Sequence, residues 1–557
     1  MKIKIGIFFG GPSREREVSY MGGRTALDNI DKTLFEPVMV FVDGLGNFIL
    51  IRDEFLYQEG IRSFYPQQTD PRFEIYIESL ADNPAQIEAE IARIGRRIWP
   101  HEFSTHFDFA FLAMHGPFCE DGAVQGLLEW YGVPYSGPGL IGSSISMNKS
   151  VQNVLMASQN GQQKPMTTLR RDEFEATTDR GMLFEKIIEK VGFPLVVKAP
   201  HQGSSIGVVI LKERTLEAFE AALNQCLFGI LINAHDWKNS AETDKMALLQ
   251  RMANVTQGIG FPVLIEQSQE IVYHPAVLMQ RLDALSAQGS ASISLTSYHA
   301  EDYVLIEAFL GGQEFSCGIL QDENLRPIAL PPTEIIAESF DYEGKYKSNT
   351  TRKIIPVVTS VENLRKIHDS LLAIFEPLGF GVCVRIDGFL TPDGQVILHD
   401  PNTIPGMSPA SLIFKQTAEI GLTITQTITY LVRQSLRERI LEGKATVRLR
   451  GLLNQLDTAI EAARGRILPP KEIIFAATDQ DYAQAKNDFN HINAEGQFRA
   501  VPMLVRSDGR RLVLNVAQMS KDSMAALDEV IGQPRHPFLV EVSEKARNIT
   551  AFYGSGG

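Results

Sequence analysis

The sequence predicts an α/β protein that starts with an open parallel sheet and continues into further α/β blocks. Three observations predict it. Short apolar runs alternate with helical periodicity through the first 150 residues, a second strand-and-helix block opens near Met147, and a third restarts at about Leu436. At 557 residues the chain also exceeds what one hydrophobic core usually organises, so roughly three or four domains are expected.

In chain order, "KIKIGIFFGG" reads as a buried strand ending in a glycine turn, and Val18 to Ile30 as a helix. "EPVMVFVD" and "FDFAFLAMHG" are the second and third strands, and this βαβ rhythm implies a parallel sheet with helices on its faces. The polar segment from about 46 to 107 is longer than such a connection needs and is expected to carry its own hairpin and helix. The second block holds the strand "FPLVVKAP", the loop "HQGSSIG" and the strand "VVIL". After an interruption from about 229 to 297 come "YVLIEAFL" and "QEFSCGIL", the polar loop "SFDYEGKYKSNTTRK" and a helix near 361–376. The paired strands "GVCVRIDGFL" and "QVILHDP" follow, with Asp393-Gly394 as their hairpin turn. From about Leu436 the chain restarts with a charged helix, Pro469-Pro470 as a linker, and strands "EIIFAA" and "RRLVLNV". The expected domains are 1–146, 147–320 with the insertion at about 229–297, 321–435, and a C-terminal α/β domain over 436–557.

Hydrophobic residues make up 44% and charged residues 22%, an ordinary balance for a globular protein. The net charge of -14 argues against nucleic acid as the main partner, since phosphate neutralisation needs clustered Lys and Arg. The four cysteines are far apart with no C-x-x-C pair, which fits buried thiols in a reducing compartment. The N-terminal apolar run is too short for a signal peptide, and no run of eighteen apolar residues exists. The expectation is a cytoplasmic protein with no membrane insertion.

Chemistry concentrates in a few places. Arg385 and Asp387 are two apart on one strand, so their side chains share a face. Asp400 and Asn402 are two apart on the hairpin partner and can share that face, setting a cation beside three hard oxygen donors. Such donors suit Mg²⁺ completed by phosphate oxygens and water; the alternative is a solvated polar strand face. Lys198 ends a strand just before "GSSIG", where Ser204, Ser205 and two glycines offer backbone N–H groups to a phosphate, or simply make a turn. Lys149 sits just inside a helix, where a solvated lysine is the commoner reading. Lys345 and Tyr346 lie in a polar loop of the kind that closes over a ligand. Ser13 and Glu15 follow the first strand, and His115 follows the third. Both places lie beyond the carboxyl ends of strands, where open α/β sheets bind ligands. Glu15 has the alternative of merely favouring a helix N-terminus, and a lone histidine is more often structural.

In their order and spacing these segments resemble the D-alanine–D-alanine ligases, a branch of the ATP-grasp enzymes. The matching text is "FFGGPSREREVS", "HGPFCEDGAVQGLLEWYGVPYSGPG", "SMNK", "FPLVVKAPHQGSSIGV", "VLIEAFLGGQEFSCGIL", "DYEGKYKSNTTR" and "RIDGFLTPDGQVILHDPNTIPGMSPASL". They run in family order over roughly residues 1–435. The resemblance implies a two-part ATP-grasp fold after the N-terminal sheet, and synthesis of D-alanyl-D-alanine for peptidoglycan precursors from two D-alanines and ATP through an acyl phosphate. It implies that Glu15 holds the amino group of the first D-alanine through a network with Ser204 and Tyr346, with His115 near that substrate's carboxylate. Lys149, Lys198 and Ser205 would contact ATP phosphates and Lys345 the γ-phosphate. Glu307, Phe309 and Leu310 would line the adenine hinge, and Glu314 would bind ribose. Asp387, Asp400 and Asn402 would hold two Mg²⁺ ions, with Mn²⁺ as the alternative. Arg385 and the backbone of Gly406 would stabilise the oxyanion, and Ser411 and Leu412 the second substrate's carboxylate. A homodimer is the assembly the resemblance suggests.

The chain departs from the family pattern at several points. Asp400 stands where the family has glutamate and is shorter by about 1.5 Å, one C–C bond. Cys119 replaces a usual glycine, Gln202 a glutamate, and Pro409 and Ala410 replace polar residues near the second-substrate site. Those last changes leave D-lactate or another amino acid as the alternative acceptor, while Asp400 leaves a non-catalytic nucleotide-binding regulator as the alternative class. The insertion and the extension lie outside the resemblance. Both carry apolar periodicity and are expected to fold, and either is a candidate docking element for a protein partner.

Overall fold

The computed structural model describes residues 2–67, 72–336 and 352–553. Its first sheet contains β1 (Ile3–Gly10), β2 (Phe35–Val42), β3 (Phe48–Ile51), β4 (Gly95–Ile98) and β5 (Phe109–Leu112), in the order β4-β3-β2-β1-β5. β1 runs parallel to both β2 and β5, so the three strands read from the βαβ rhythm form a parallel centre. β1 is apolar on both faces because both are covered: Ile5, Ile7, Phe8 and Phe9 are all buried. The long polar segment adds β3 and β4 at one edge, paired antiparallel to each other. They are not a local hairpin, since the helix Pro84–Ile94 lies between them.

The second sheet joins β6 (Met166–Arg170), β7 (Leu195–Lys198) and β8 (Val208–Leu211) to a strand that returns much later in the chain. Between them the segment expected as an insertion folds on its own ladder. There β9 (Gly229–Asn233), β10 (Val263–Ile265), β11 (Glu270–Val272) and β12 (Ser292–Ser297) form an antiparallel sheet in the order β11-β10-β12-β9. Helices Glu242–Ala253 and Pro275–Ala287 bury Leu249, Leu278 and Leu282 with its Val263 and Leu295. The returning strand, β13 (Tyr303–Ala308), then pairs antiparallel with β6 and β7.

The third sheet holds β14 (Gln313–Gln321), β15 (Pro327–Ala329), β16 (Thr333–Ile336), β17 (Arg352–Ile354), β18 (Cys383–Leu390) and β19 (Val396–Asn402). Its order is β17-β16-β14-β18-β19, with β15 beside β14, so β19 is an edge strand. β18 and β19 form the hairpin read from Asp393-Gly394, with Gly394 at φ +77 as the turn requires.

The charged helix expected to start near Leu436 begins in the last third of a longer one, Ile424–Leu441. Its start is set by a capping box, in which Thr423 and Gln426 bond each other's backbone N–H. A small sheet follows, with β20 (Pro470–Ala476) parallel to β21 (Arg499–Val505) and β22 (Arg511–Val513) antiparallel to it. It has its own core around Phe475, Phe489, Leu504 and Leu527. The last helices, Pro537–Lys545 and Arg547–Ala551, return to the main core: Phe538, Val542 and Ile549 are fully buried in one cluster with Leu364, Leu371 and Leu436. Among the described residues no helix is long and apolar enough to cross a membrane.

Candidate active site

Glu15 is the N-cap residue of the helix Arg16–Asn29, yet its side chain makes no capping bond. It reaches instead to the loop between β7 and β8. Gly203 N–H donates to its Oε1 at 3.1 Å, and the Ser204 hydroxyl donates to its Oε2. Glycine is required at both close approaches. A Cβ on Gly203 would lie 2.4 Å from Glu15 Oε1, and one on Gly116 would lie 2.8 Å from it. Burial, with Glu120 nearby, raises the Glu15 pKa, against the opposing pull of His115, Ser204 and Lys149. His115 lies beside it: its Nδ1 is 3.8 Å from Glu120 Oε1. Burial works against its charge, but Glu120 and Glu15 outweigh burial and raise its pKa.

The same loop turns back at Ser204 and Ser205, both in the left-handed region at φ +51 and +62. Lys149, the first residue of the helix Lys149–Asn160, donates to Gln202 O at 2.7 Å and lies 3.3 Å from Asp400 Oδ1. It is buried, so the reading of a solvated surface lysine does not hold. Lys198, at the end of β7, pairs with Glu307 Oε2 at 2.9 Å. Lys164 pairs with that same oxygen at 2.7 Å, and Asn153 Nδ2 donates to Glu307 Oε1 at 2.6 Å. Burial would raise the Glu307 pKa, but the two ammonium groups win and hold it at about 2. Past β13, Phe309 is exposed and Leu310 half-buried in the link to β14, while Glu314 is buried near the start of β14.

On β18 and β19 the register differs from simple alternation. Arg385 pairs with Asn402 and Asp387 with His399, with a bulge between. Asp400 and Pro401 therefore oppose the single residue Ile386, and Asp400 takes φ +45. The expectation that Asp400 and Asn402 follow one alternating face is corrected here: His399 stands opposite Asp387, and the bulge brings Asn402 opposite Arg385. Asp400 points to Lys149 and lies 3.1 Å from His399 Nδ1. Burial opposes its charge, but Lys149 and Lys198 push its pKa well below the ordinary carboxylate range.

Arg385 Nε is 3.6 Å from Asp387 Oδ1. Among the described residues, buried Asp387 Oδ1 and Asn402 Oδ1 accept no hydrogen bond. No group of three or more His, Cys, Asp or Glu side chains converges among those residues. Two orphaned oxygens, one on a carboxylate and one on an amide, beside an ionised aspartate fit a hard divalent cation that keeps several other ligands from substrate and water. Beyond β19, Ser411 is the N-cap residue of the helix Leu412–Glu419 without a capping bond, and its hydroxyl lies 2.9 Å from that of Ser408. Leu412 is buried, and Gly406 lies within 3.4 Å of Ser411 Oγ, counted from where a Cβ would stand. Lys345 and Tyr346 lie outside the described residues.

Glu120, Asn153, Lys164 and His399 were not singled out from the sequence. Glu120 had a signal, standing five residues after His115 on the same turn, whereas Lys164 in "GQQKP" looks like any loop lysine.

Residues 4–138 match the family described as the D-ala D-ala ligase N-terminus, and residues 155–234 and 228–433 match the D-ala D-ala ligase C-terminus. The D-alanine–D-alanine ligase A of Chromobacterium violaceum is 25% identical over 439 residues, covering 78% of this chain and 96% of that protein. A D-alanine–D-alanine ligase of Clostridium botulinum is 24% identical over 439 residues, covering 78% of this chain and 99% of that protein. The solved D-alanine–D-alanine ligase of Coxiella burnetii superposes with a TM-score of 0.51 at 20% identity, over 81% of this chain and 100% of that one. The fold is shared, and the extension past 433 lies outside both family matches.

Proposed function

The chain belongs to the D-alanine–D-alanine ligase family, and from that premise we propose that it joins two D-alanines at the expense of ATP by the following use of its residues. The observation that carries the reading is the meeting of Glu15, from the first sheet, with Gly203 and Ser204, from the loop that Lys149 and Lys198 flank. An ammonium-binding carboxylate and a phosphate-binding loop thus share one cleft, which is what activating an amino acid's own carboxylate needs.

Glu15 accepts hydrogen bonds from the amino group of the first D-alanine, leaving that substrate's carboxylate directed at the γ-phosphate of ATP. His115, whose charged form Glu120 favours, faces the carboxylate end. Lys149 and Lys198 bind the phosphates, and Glu307 fixes the position of Lys198. Asp387, Asp400 and Asn402 would hold Mg²⁺, which neutralises charge on the phosphoryl oxygens and orients the nucleotide. The first carboxylate takes the γ-phosphoryl group and ADP leaves. The amine of the second D-alanine, its carboxylate held at Ser411 and Leu412, then attacks the acyl carbon. Arg385 and the backbone at Gly406 stabilise the tetrahedral oxyanion until phosphate departs. Holding both substrates oriented is worth on the order of 7–11 kcal/mol of barrier. The reading puts the reaction in the cytoplasm, where ATP is available.

The test is dipeptide formation followed by mass spectrometry, with ADP release measured in parallel. D-alanyl-D-alanine should appear with Mg²⁺-ATP and millimolar D-alanine and vanish with Arg385→Ala; no dipeptide from the wild type rejects the proposal. A second acceptor is favoured by one observation: Pro409 and Ala410 are exposed beside Ser411. Phosphate release with D-alanine plus D-lactate or other amino acids, exceeding that with D-alanine alone, would establish it.

A further inference from the structure

Arg14, the neighbour of Glu15, leaves its own sheet and enters the segment 229–297. Its Nη1 donates to Val255 O at 3.1 Å and Gly258 O at 3.2 Å, and its Nη2 to Ile259 O at 2.7 Å and the Ser297 hydroxyl at 3.0 Å. The guanidinium also lies 3.8 Å from the centre of the Phe228 ring. It is buried, and burial together with Arg16 lowers its pKa to about 9, so it is still a cation at neutral pH. Its charge is balanced only at longer range, by Glu301 and Glu78. A planar fork of N–H groups is the side chain suited to several fixed carbonyls at once, and lysine cannot reproduce it.

The receiving turn carries bonds of its own and returns one to Arg14, from the Thr256 hydroxyl to Arg14 O at 3.4 Å. The Asn254 side chain accepts from Thr256 N and Gln257 N, both at 2.9 Å, and Gly260 N–H donates to Met252 O at 2.8 Å. Four residues beyond Ser297, Glu301 takes hold of the other side of the cleft. Its Oε2 is 2.8 Å from His201 Nδ1, and its Oε1 accepts from Gln202 Nε2 at 2.9 Å. The next residues, Gly203 and Ser204, are those that grip Glu15. Both the neighbour of Glu15 and the loop that holds its carboxylate are therefore tied to this segment or to its end. Three carbonyls of this turn are thus committed inward, to a buried cation.

We propose that segment 229–297 is a positioning element for the first amino-acid substrate, acting through Arg14 on Glu15. Arg14 is a positioning residue, since its guanidinium is committed to the segment's carbonyls and Ser297 and reaches the site only through its neighbour Glu15. The inference rests on the proposed ligase reading for its kinetic arm only. Arg14→Lys keeps the charge and loses the fork, and Ser297→Ala removes one acceptor from the far side.

Arg14→Lys is expected to raise KM for the first D-alanine by about 10-fold or more, because a misplaced binding group costs heavily even when it is remote from the chemistry. KM for ATP should stay within about twofold, and Ser297→Ala should show a smaller change in the same direction. A lowered Tm with an unchanged KM for the first D-alanine would overturn the proposal, because that is the signature of a merely structural arginine. The substrate-free arm is amide hydrogen exchange on the full chain. Gly203 N–H, bonded to Glu15 in the wild type, should exchange about 10-fold faster in Arg14→Lys, or in Ser297→Ala should the first variant not fold. Unchanged exchange there overturns the proposal. Faster exchange in a chain whose wild type makes no dipeptide would support the positioning role while rejecting the ligase reading.

Discussion

Replacing Glu307 by glutamine tests the electrostatics of the proposed nucleotide site most directly. Two ammonium groups, Lys164 and Lys198, lie within 2.7 and 2.9 Å of one buried carboxylate oxygen. Holding that carboxyl at about 2 and not at its ordinary 4.5 is a shift of about 2.5 pH units. At 1.36 kcal/mol per unit this is on the order of 3 kcal/mol of folded-state stabilisation of the carboxylate. Because the folded pKa is depressed, this stability is present above about 4.5 and is lost as pH falls from there toward 2. Glu307→Gln removes the anion and leaves two buried cations side by side, so the loss at neutral pH should be about 3–5 kcal/mol. Urea unfolding at pH 7 and at pH 3, each with and without Mg²⁺-ATP, is the assay. The variant should be strongly destabilised at pH 7, the gap to wild type should shrink at pH 3, and bound nucleotide phosphates should recover part of the loss by supplying the missing negative charge. A destabilisation below about 1 kcal/mol at pH 7, or a gap that does not narrow at pH 3, would refute the reasoning.

Three further substitutions have defined outcomes. Gly203→Ala puts a Cβ 2.4 Å from Glu15 Oε1, so KM for the first D-alanine should rise at least about tenfold while Tm changes little; steady-state kinetics with each substrate varied would show it. Asp400→Glu places a longer side chain at φ +45, where aspartate is better tolerated. Stability should fall by about 1 kcal/mol with no gain in kcat, and a rise in both would contradict the strain account. Phe538→Ala empties a fully buried site in the main core, against the ring of His368 at 4.8 Å. A loss of about 3–5 kcal/mol by urea denaturation is expected, and a loss under 1 kcal/mol would show that the last helices are peripheral.

The parts legible in the sequence are those set by local pattern. The apolar run of β1, the Asp393-Gly394 turn and the serine-glycine loop after Lys198 each depend on residues within a few positions of one another. What local pattern cannot encode is a partner far along the chain. Arg14 meets Ile259 across 245 residues and Asn153 meets Glu307 across 154, so nothing near Arg14 or Asn153 announces either contact. β21 is hard to read from the sequence because Pro502 interrupts its apolar run, although β21 lies between β20 and β22 and pairs with both. The helix Ile424–Leu441 reads as starting late because its first half is threonine-rich; those threonines are buried, and Thr427 and Thr429 return their hydroxyls to the carbonyls four residues back.

The bulge at Asp400 suits the two residues that occupy it. Pro401 has no N–H to donate, so a regular ladder would lack one bond there; β19 is an edge strand, where that loss is tolerated. Setting Asp400 and Pro401 against Ile386 alone takes both out of the alternating register. The cost is a left-handed φ, and aspartate is one of the few residues besides glycine that visits that region readily. A glutamate would adopt this backbone less well, whereas a regular strand would give its longer side chain the reach. An aspartate at this position is therefore compatible with the bulged strand. The reach of about 1.5 Å that the missing methylene removes is a question of where the bulge sets the Asp400 Cα, and the 3.3 Å approach of Lys149 is the contact that this placement secures.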